Sequence, residues 1–285
     1  DEITAQDVLT VCRRVESRGA IETAHRVKTI CSQIFRYCVA IGIVESDPCR
    51  DLSGALTPVS PKHMATILEP KKIGELLRAM DGYKGHQITR AALLLAPLTF
   101  VRPGELRHGE WCEFDLENSL WRIPPEKMKM RQAHIIPLSR QSLKIIQDLQ
   151  PLTGDGRYLF PSIRSKERCM SENTVNGALR RLGYEKSEIT GHGFRSMAST
   201  RLHEMGWPSH VIERQLAHRE GNSVKAAYNH AEYLQERVKM MQAWADYLDQ
   251  LRLDTENAAK VLENSLKNDN EPASENTVIP LEAKK

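Results

Sequence analysis

Four polar side chains have the types and spacing needed for chemistry on a phosphate group. His192 and Arg195 lie three residues apart, so on a helix their imidazole and guanidinium lie on one face and reach the same group. Arg102 follows an apolar stretch at a turn, where Glu105 can orient its guanidinium by a carboxylate contact. Guanidinium groups neutralise charge on phosphate oxygens without a metal ion. The pattern indicates chemistry on a phosphate group.

Three further residues extend this set: Lys129 lies in a basic turn, and His218 precedes Tyr228 by ten residues. Each residue alone has a simpler structural explanation, such as an ion pair or a half-buried aromatic ring. Their joint order and spacing favour function.

Metal, nucleotide and membrane functions are not expected from this sequence. The six cysteines form no CxxC pair, and His203-Glu204 begins an HExxH motif in which Trp207 replaces the second histidine. Neither GxxxxGK[ST] nor GxGxxG occurs. Mean hydropathy is −0.47, and the longest apolar run is far too short to span a bilayer. We therefore expect a cytoplasmic protein with reduced thiols, no cofactor, no bound metal and no membrane partner.

The formal charge of +3 is unevenly spread along the 285 residues. The tail 252–285 has seven acidic and five basic residues, which leaves 35 basic against 30 acidic residues, or +5, for 1–251. Basic residues concentrate between 122 and 144, where Glu126 is the one acidic residue. This stripe suits a polyanion, with Arg122, Lys127 and Arg131 as contact candidates, although a solvated face gives the same pattern.

Apolar periodicity predicts the elements that position these residues. Helical spacing predicts two or three helices within 5–44 and further helices over 71–80, 88–98, 141–149, 172–182, 192–205, 208–217 and 234–251. Short extended runs at 120–124 and 134–138 predict strands around the basic turn. The fold class is therefore mainly α with a small antiparallel β-sheet. The predicted domains are a helical unit 1–55, a linker 56–62, a larger domain 63–251 and a tail 252–285 that is partly disordered.

Four segments carry a resemblance to a known family: TFVRPGEL at 99–106, KMRQAHIIPL at 129–138, GHGFRSMASTRLHEMG at 191–206 and QLAHREGNSVKAAYNHAEY at 215–233. The sequence resembles the tyrosine recombinase (phage integrase) family, in particular integrases of satellite phages and genomic islands. The resemblance covers most of 62–250, with a weaker helical match at 1–55. Phe100 and Ala217 depart from it, because many relatives have glycine there, and the turn at Phe100 is expected to differ.

The resemblance implies a role for each candidate. Arg102 and Arg195 would hold the non-bridging oxygens of a scissile phosphate, and Lys129 would protonate the leaving 5′ oxygen. His192 and His218 would assist proton transfer, Tyr228 would be the nucleophile, and Glu105 would support the site. Lys127 competes with Lys129, and Tyr233 competes with Tyr228. Family spacing to Pro137 favours Lys129, and family spacing after His218 favours Tyr228.

The resemblance also implies a site-specific DNA recombinase that works through a 3′-phosphotyrosine intermediate. It implies a tyrosine-recombinase catalytic domain preceded by a small all-α core-binding domain at 1–55, incomplete at its N-terminus. The partners would be double-stranded DNA attachment sites and three further copies in a tetramer, with room for an accessory DNA-bending protein. The start at Asp1 creates the expectation that an arm-binding domain has been cut away.

Two other functions stay open at this stage. Residues 198–217 can be interpreted as a helix-turn-helix with Gly206-Trp207-Pro208 in the turn, which predicts a non-catalytic DNA-binding regulator. A type IB topoisomerase-like enzyme would use the same chemistry without exchanging partners. The regulator hypothesis leaves the arginines and histidines unexplained.

Overall fold

The chain divides into two units, Asp1–His63 and Met64–Lys285. The computed structural model describes residues 3–60, 64–218 and 233–253. Two predictions fall outside the described residues: the nucleophile Tyr228, and the tail from residue 254 onwards. The described elements are mostly helical with small antiparallel sheets, which confirms the fold class predicted from the sequence.

The first unit is built from helices α1 (Ala5–Glu16) and α2 (Ile21–Ala40), followed by a 3₁₀ turn at Arg50–Leu52. A capping box begins α1: the Thr4 hydroxyl accepts from the Asp7 backbone N–H, and the Asp7 carboxylate accepts from that of Thr4. The core of this unit comprises Val8, Cys12, Ala24, Cys49, Leu52 and Leu56.

The second unit has eight described helices around one apolar core. They are α3 (Pro70–Asp81), α4 (Gln87–Thr99), α5 (Pro103–Arg107), α6 (Arg140–Thr153), α7 (Thr174–Arg181), α8 (Gly193–Glu204), α9 (Ser209–Gln215) and α10 (Leu234–Arg252). Residues 92–99 of α4 are all buried, and α4 packs against α3, α6, α7, α8 and α10. The last two turns of α4 are buried on every side, as suits a helix at the centre of a domain. Arg102 follows the end of this helix, where the Phe100 carbonyl accepts from Arg195.

A three-stranded antiparallel sheet, in the order β1-β2-β3, carries the basic turn. Its strands are β1 (Phe114–Asp115), β2 (Leu120–Ile123) and β3 (His134–Pro137), and Trp121 pairs with Ile136. A second hairpin pairs β4 (Pro161–Ser162) with β5 (Ser165–Cys169). In β2 only Arg122 is exposed, and the face that carries Trp121 and Ile123 packs on the core.

Helix α10 packs on its own unit, against α3, α4, α9 and β3. Trp244 is fully buried, meets the Phe100 ring edge-on at 6.2 Å and donates to the Pro97 carbonyl at 2.9 Å. The apolar stripe predicted from 234 to 251 therefore marks a real buried face, although Val238 is exposed and Arg237 is buried within it. No helix in the described ranges is long and apolar enough to cross a membrane.

Candidate active site

Arg102 is the N-cap residue of α5, and one carboxylate holds both its side chain and its backbone. Glu105 accepts from Arg102 Nη1 at 2.7 Å and from the Arg102 backbone N–H at 2.9 Å. Arg102 Nη2 donates to the carbonyl of Ala217 at 3.2 Å. The Arg102–Glu105 contact expected from the sequence is thus present, and Glu105 is only 7% exposed.

Arg195 lies in the first turn of α8 and is held by backbone carbonyls. Nη1 donates to Phe100 O at 2.8 Å and Nη2 donates to Leu216 O at 2.6 Å. Burial, and after it the nearby Arg102, lowers the pKa of the Arg195 guanidinium to about 10. The guanidinium therefore stays charged at neutral pH, although its side chain is almost enclosed.

Two residues with left-handed backbone flank the arginines. Phe100 has φ 38° and Ala217 has φ 50°, and these are the positions where the sequence departs from the glycine of many relatives. Their carbonyls accept from Arg195 and Arg102 respectively. The conformation that glycine favours is present at both positions, so the two turns orient both guanidinium groups.

The two histidines complete the cluster of site residues. His192 is the N-cap of α8 and is half-buried; burial first, then Arg195, Arg102 and His218, lower its pKa. His218 follows α9, is exposed, and its Nδ1 lies 2.6 Å from the Glu213 carboxylate. Arg102 donates to Ala217 O and Arg195 to Leu216 O, so both guanidinium groups lie at the segment that ends in His218. His192 caps the helix that carries Arg195 in its first turn.

The two lysines of the basic turn have different surroundings. Lys129 is exposed and makes no hydrogen bond or ion pair within the described residues. The residues on both sides of it, Met128 and Met130, line a cavity of about 70 Å³ together with Ala217 and His218. The Lys129 segment therefore borders the cluster. The competing residue Lys127 points into the protein instead.

The predicted polyanion contacts are also unequal. Arg122 and Arg131 are exposed, and Arg122 lies 3.6 Å from the Asp115 carboxylate. Lys127 donates to Glu110, Glu113 and the carbonyl of His108. All three N–H groups of its ammonium are thus used within the protein, contrary to the DNA contact predicted for this residue.

Tyr233, the competitor of Tyr228, precedes α10 and is packed against the core. Its ring lies 4.5 Å from the ring of His210 on α9. Among residues 3–60, 64–218 and 233–253, no three His, Cys, Asp or Glu side chains are grouped to hold a metal ion.

Sequence reasoning missed a buried polar network behind the site. Arg237 donates to Gln215 Oε1 from Nε at 3.0 Å and from Nη2 at 2.7 Å, and also to the Ile135 carbonyl. His134 Nε2 lies 3.1 Å from Gln215 O. Burial first, and then Arg214, lowers the pKa of Arg237 to about 9. The network links α10 and β3 to the residue before Leu216, whose carbonyl holds Arg195.

Comparison with known families agrees with this geometry. The model described as "Phage integrase family" matches residues 66–235, and that of the "Phage integrase central domain" matches residues 1–55. The chain belongs to the phage integrase family.

Individual family members are similar over most of the chain. The integrase of Enterobacteria phage P4 is 42% identical over 266 residues, which cover 88% of this chain and 60% of that protein. The integrase of Shigella phage Sf6 is 35% identical over 250 residues, covering 87% and 64%. The chain thus spans about 60% of the length of these curated integrases.

Solved structures of integrases share the fold. A lambda integrase(75–356) dimer bound to a COC′ core site has a TM-score of 0.59 at 20% identity, covering 77% of this chain and 80% of that one. The Tn1549 transposon integrase in complex with a circular intermediate DNA has a TM-score of 0.60 at 19% identity, covering 84% and 85%. At such identities the similarity shows the fold alone.

Proposed function

We propose that this phage integrase family member is a site-specific tyrosine recombinase, which cleaves and rejoins DNA strands to integrate or excise a mobile element. The observation that carries the proposal is the pair of guanidinium groups, Arg102 and Arg195, which donate to the adjacent carbonyls of Ala217 and Leu216 just before His218. Two fixed positive charges suit the two non-bridging oxygens of a phosphodiester, whose negative charge grows in the transition state.

The proposed reaction is a transesterification. The Tyr228 oxygen bonds to phosphorus, the bond to the 5′ oxygen breaks, and Lys129 gives that oxygen a proton. The product is a 3′-phosphotyrosine and a free 5′-hydroxyl; attack by another 5′-hydroxyl reverses the step and joins a new strand. Because the ester bond is exchanged rather than hydrolysed, rejoining needs no ATP. His192, kept neutral at pH 7 by its lowered pKa, can accept the tyrosine proton.

The proposed partners follow from the similarity to lambda integrase. Lambda integrase has been solved as a dimer on a core site and as a tetramer on a Holliday junction, which supports duplex attachment sites and a tetrameric synapse for this protein. We assign the second DNA-binding surface to residues 1–55, joined by the linker 56–62 to the catalytic domain 63–251. An accessory DNA-bending protein and action in the cytoplasm complete the proposal.

Covalent capture on a nicked suicide duplex tests the proposal, because loss of a short cleaved strand prevents rejoining. We expect a protein–DNA adduct in the presence of EDTA, lost in Tyr228→Phe and retained in Tyr233→Phe. Arg195→Ala should lower the cleavage rate by about 10³-fold or more while DNA binding remains. A DNA-binding regulator would bind the site without forming any adduct, and that result would refute the proposal.

A further inference from the structure

The side chain of Lys127 is anchored inside the protein, two residues before Lys129. It ends the 3₁₀ turn Pro125–Lys127 that follows β2, and its side chain is 22% exposed. Its ammonium donates to His108 O at 3.0 Å, to Glu110 Oε1 at 2.6 Å and to the Glu113 carboxylate. An ammonium has three N–H groups, and each has an acceptor here.

The two carboxylates that hold Lys127 are themselves fixed. Glu110 accepts from Arg157 Nη2 at 2.9 Å, and Glu113 accepts from Trp121 Nε1 at 3.0 Å. The hydrogen bond from Arg157 first, and the one from Lys127 next, lower the pKa of Glu110 to about 2. Both glutamates are buried residues. The anchor is therefore charged at neutral pH and rigidly supported.

The chain between this anchor and the exposed lysine has little freedom. Met128 is buried at 5% exposure, and its carbonyl accepts from the Arg131 backbone N–H at 2.9 Å, which closes a turn around Lys129. Arg131 has the left-handed φ of 52°. Two residues span at most about 7 Å, so the position of Lys129 follows from where Lys127 is held.

We propose that Lys127 is a positioning residue for proton transfer: its ion cluster with Glu110 and Glu113 holds the loop so that Lys129 reaches the leaving 5′ oxygen. The inference rests on the proposed function, because it needs Lys129 to be the general acid. It replaces the DNA contact that the sequence predicts for Lys127. The exposed Lys129 contacts the substrate, and the buried ion cluster of Lys127 fixes the position of Lys129.

A change of leaving group separates this role from a general structural role. In a substrate with sulfur at the bridging 5′ position, the leaving thiol has a pKa near ~8.5, close to that of cysteine, so it departs without a proton donor. Loss of a general acid costs about 10²–10⁴-fold on the oxygen substrate. A variant that fails only in proton delivery therefore cleaves the sulfur substrate at the parent rate. A variant with a defect in folding, in phosphate binding or in the nucleophile stays slow on both substrates.

The experiment measures single-turnover cleavage of both suicide substrates at saturating enzyme. We expect Lys129→Ala and Lys127→Met to be slower by about 10²-fold or more on oxygen and within about threefold of the parent protein on sulfur. Lys127→Arg, which keeps the charge and the donors, should recover most of the oxygen rate. The double variant should be no slower than Lys129→Ala, because the acid can be lost only once.

Two further variants control for stability. Lys166→Met removes an exposed ion pair with Asp155, 2.8 Å long, that shares no hydrogen bond with Lys127, Glu110 or Glu113, and should leave both rates unchanged. Glu113→Gln keeps an acceptor for Trp121 but loses the charge that holds Lys127, so it should show the same sulfur-corrected loss even where Lys127→Met folds poorly.

The outcomes separate the two proposals. If Lys129→Ala is corrected by sulfur but Lys127→Met and Glu113→Gln are slow on both substrates, the positioning role is overturned and the general acid stands. If Lys127→Met changes only the DNA concentration needed for half-maximal rate, Lys127 is a DNA contact and the inference is overturned. If sulfur does not correct Lys129→Ala, the proposed function of Lys129 itself fails.

Discussion

Glycine substitutions at the two left-handed positions of the site should change stability in opposite directions. Phe100 and Ala217 have φ 38° and 50°, and their carbonyls hold the two arginines. Left-handed backbone costs a residue with a Cβ roughly 1–2 kcal/mol, and glycine avoids this cost. Phe100, however, has a fully buried ring in edge-on contact with Trp244, whereas Ala217 has only a half-buried methyl group.

The magnitudes follow from these environments. For Ala217→Gly, relief of roughly 1–2 kcal/mol is partly offset by about 0.5–1 kcal/mol of extra chain entropy in the unfolded state, so the variant should gain about 0.5–1 kcal/mol. For Phe100→Gly, truncating a buried phenylalanine costs about 3–5 kcal/mol. The relief of strain recovers only about 1 kcal/mol of that loss, so the variant should lose about 2–4 kcal/mol.

Urea denaturation followed by tryptophan fluorescence measures these changes, because all four tryptophans lie in the second unit. Gly206→Ala is a matched control: Gly206 has φ 83°, and a Cβ built there meets nothing within 4 Å. It should therefore lose about 1 kcal/mol from backbone strain alone. We expect Gly206→Ala to lower the urea midpoint. If Ala217→Gly lowers the midpoint as well, glycine relieves no backbone strain at position 217, and the reasoning is refuted.

Three further perturbations address the buried network and the basic turn. Arg237→Met should lower the free energy of unfolding in urea by about 2–4 kcal/mol, because Gln215 Oε1 and a backbone carbonyl lose their donor; an unchanged midpoint would contradict this. Burial holds the pKa of His134 well below 6.5, so the unfolded chain binds the proton first and stability should fall as pH drops below about 6.5. His134→Gln should reduce that slope by up to about 1.4 kcal/mol per pH unit at the acidic end of a series of urea midpoints between pH 5 and 7; an equal slope would show that His134 is not responsible. Arg131→Ala should reduce the slope of log affinity against log salt by about 1, whereas an unchanged slope would remove Arg131 from the predicted DNA surface.

Periodicity predicted the long elements because their buried faces are apolar. The helices at 70–81, 87–99 and 234–252 and the strands β2 and β3 all lie within a few residues of the predicted ranges. The hairpin β4–β5 was missed, because Ser165–Cys169 is mostly exposed and has no apolar alternation. In α2 the spacing predicted the helix correctly, but the stripe of Ile30, Ile34 and Tyr37 is exposed. Spacing thus indicates a helix more securely than it indicates which face is covered.

The sequence predicts the candidate site residues only where the residue type and its spacing indicate a chemical role. His192, Arg195 and the Arg102–Glu105 pair could be found by spacing, and the structure brings them together. Arg237 could not be predicted as a buried residue, because a charged residue next to an apolar stripe normally indicates the solvent-exposed edge of a helix. Its acceptors come from β3 and α9, about 100 and 20 positions earlier in the chain respectively. Contacts of that kind are set by packing and leave no local pattern.

The partners of each buried cation distinguish a positioning role from a substrate-binding role. Lys127 is compensated by two carboxylates, so its charge is cancelled where it lies and little positive potential reaches the surface. Within the described part of the chain, Arg195 contacts carbonyl oxygens and no carboxylate, and those neutral partners orient the guanidinium without cancelling its charge. Such a positive charge stabilises a transition state in which negative charge grows on the phosphate oxygens. Replacing the side chain of Leu216 does not remove the carbonyl that accepts from Arg195, whereas a carboxylate introduced beside Arg195 would cancel its positive charge.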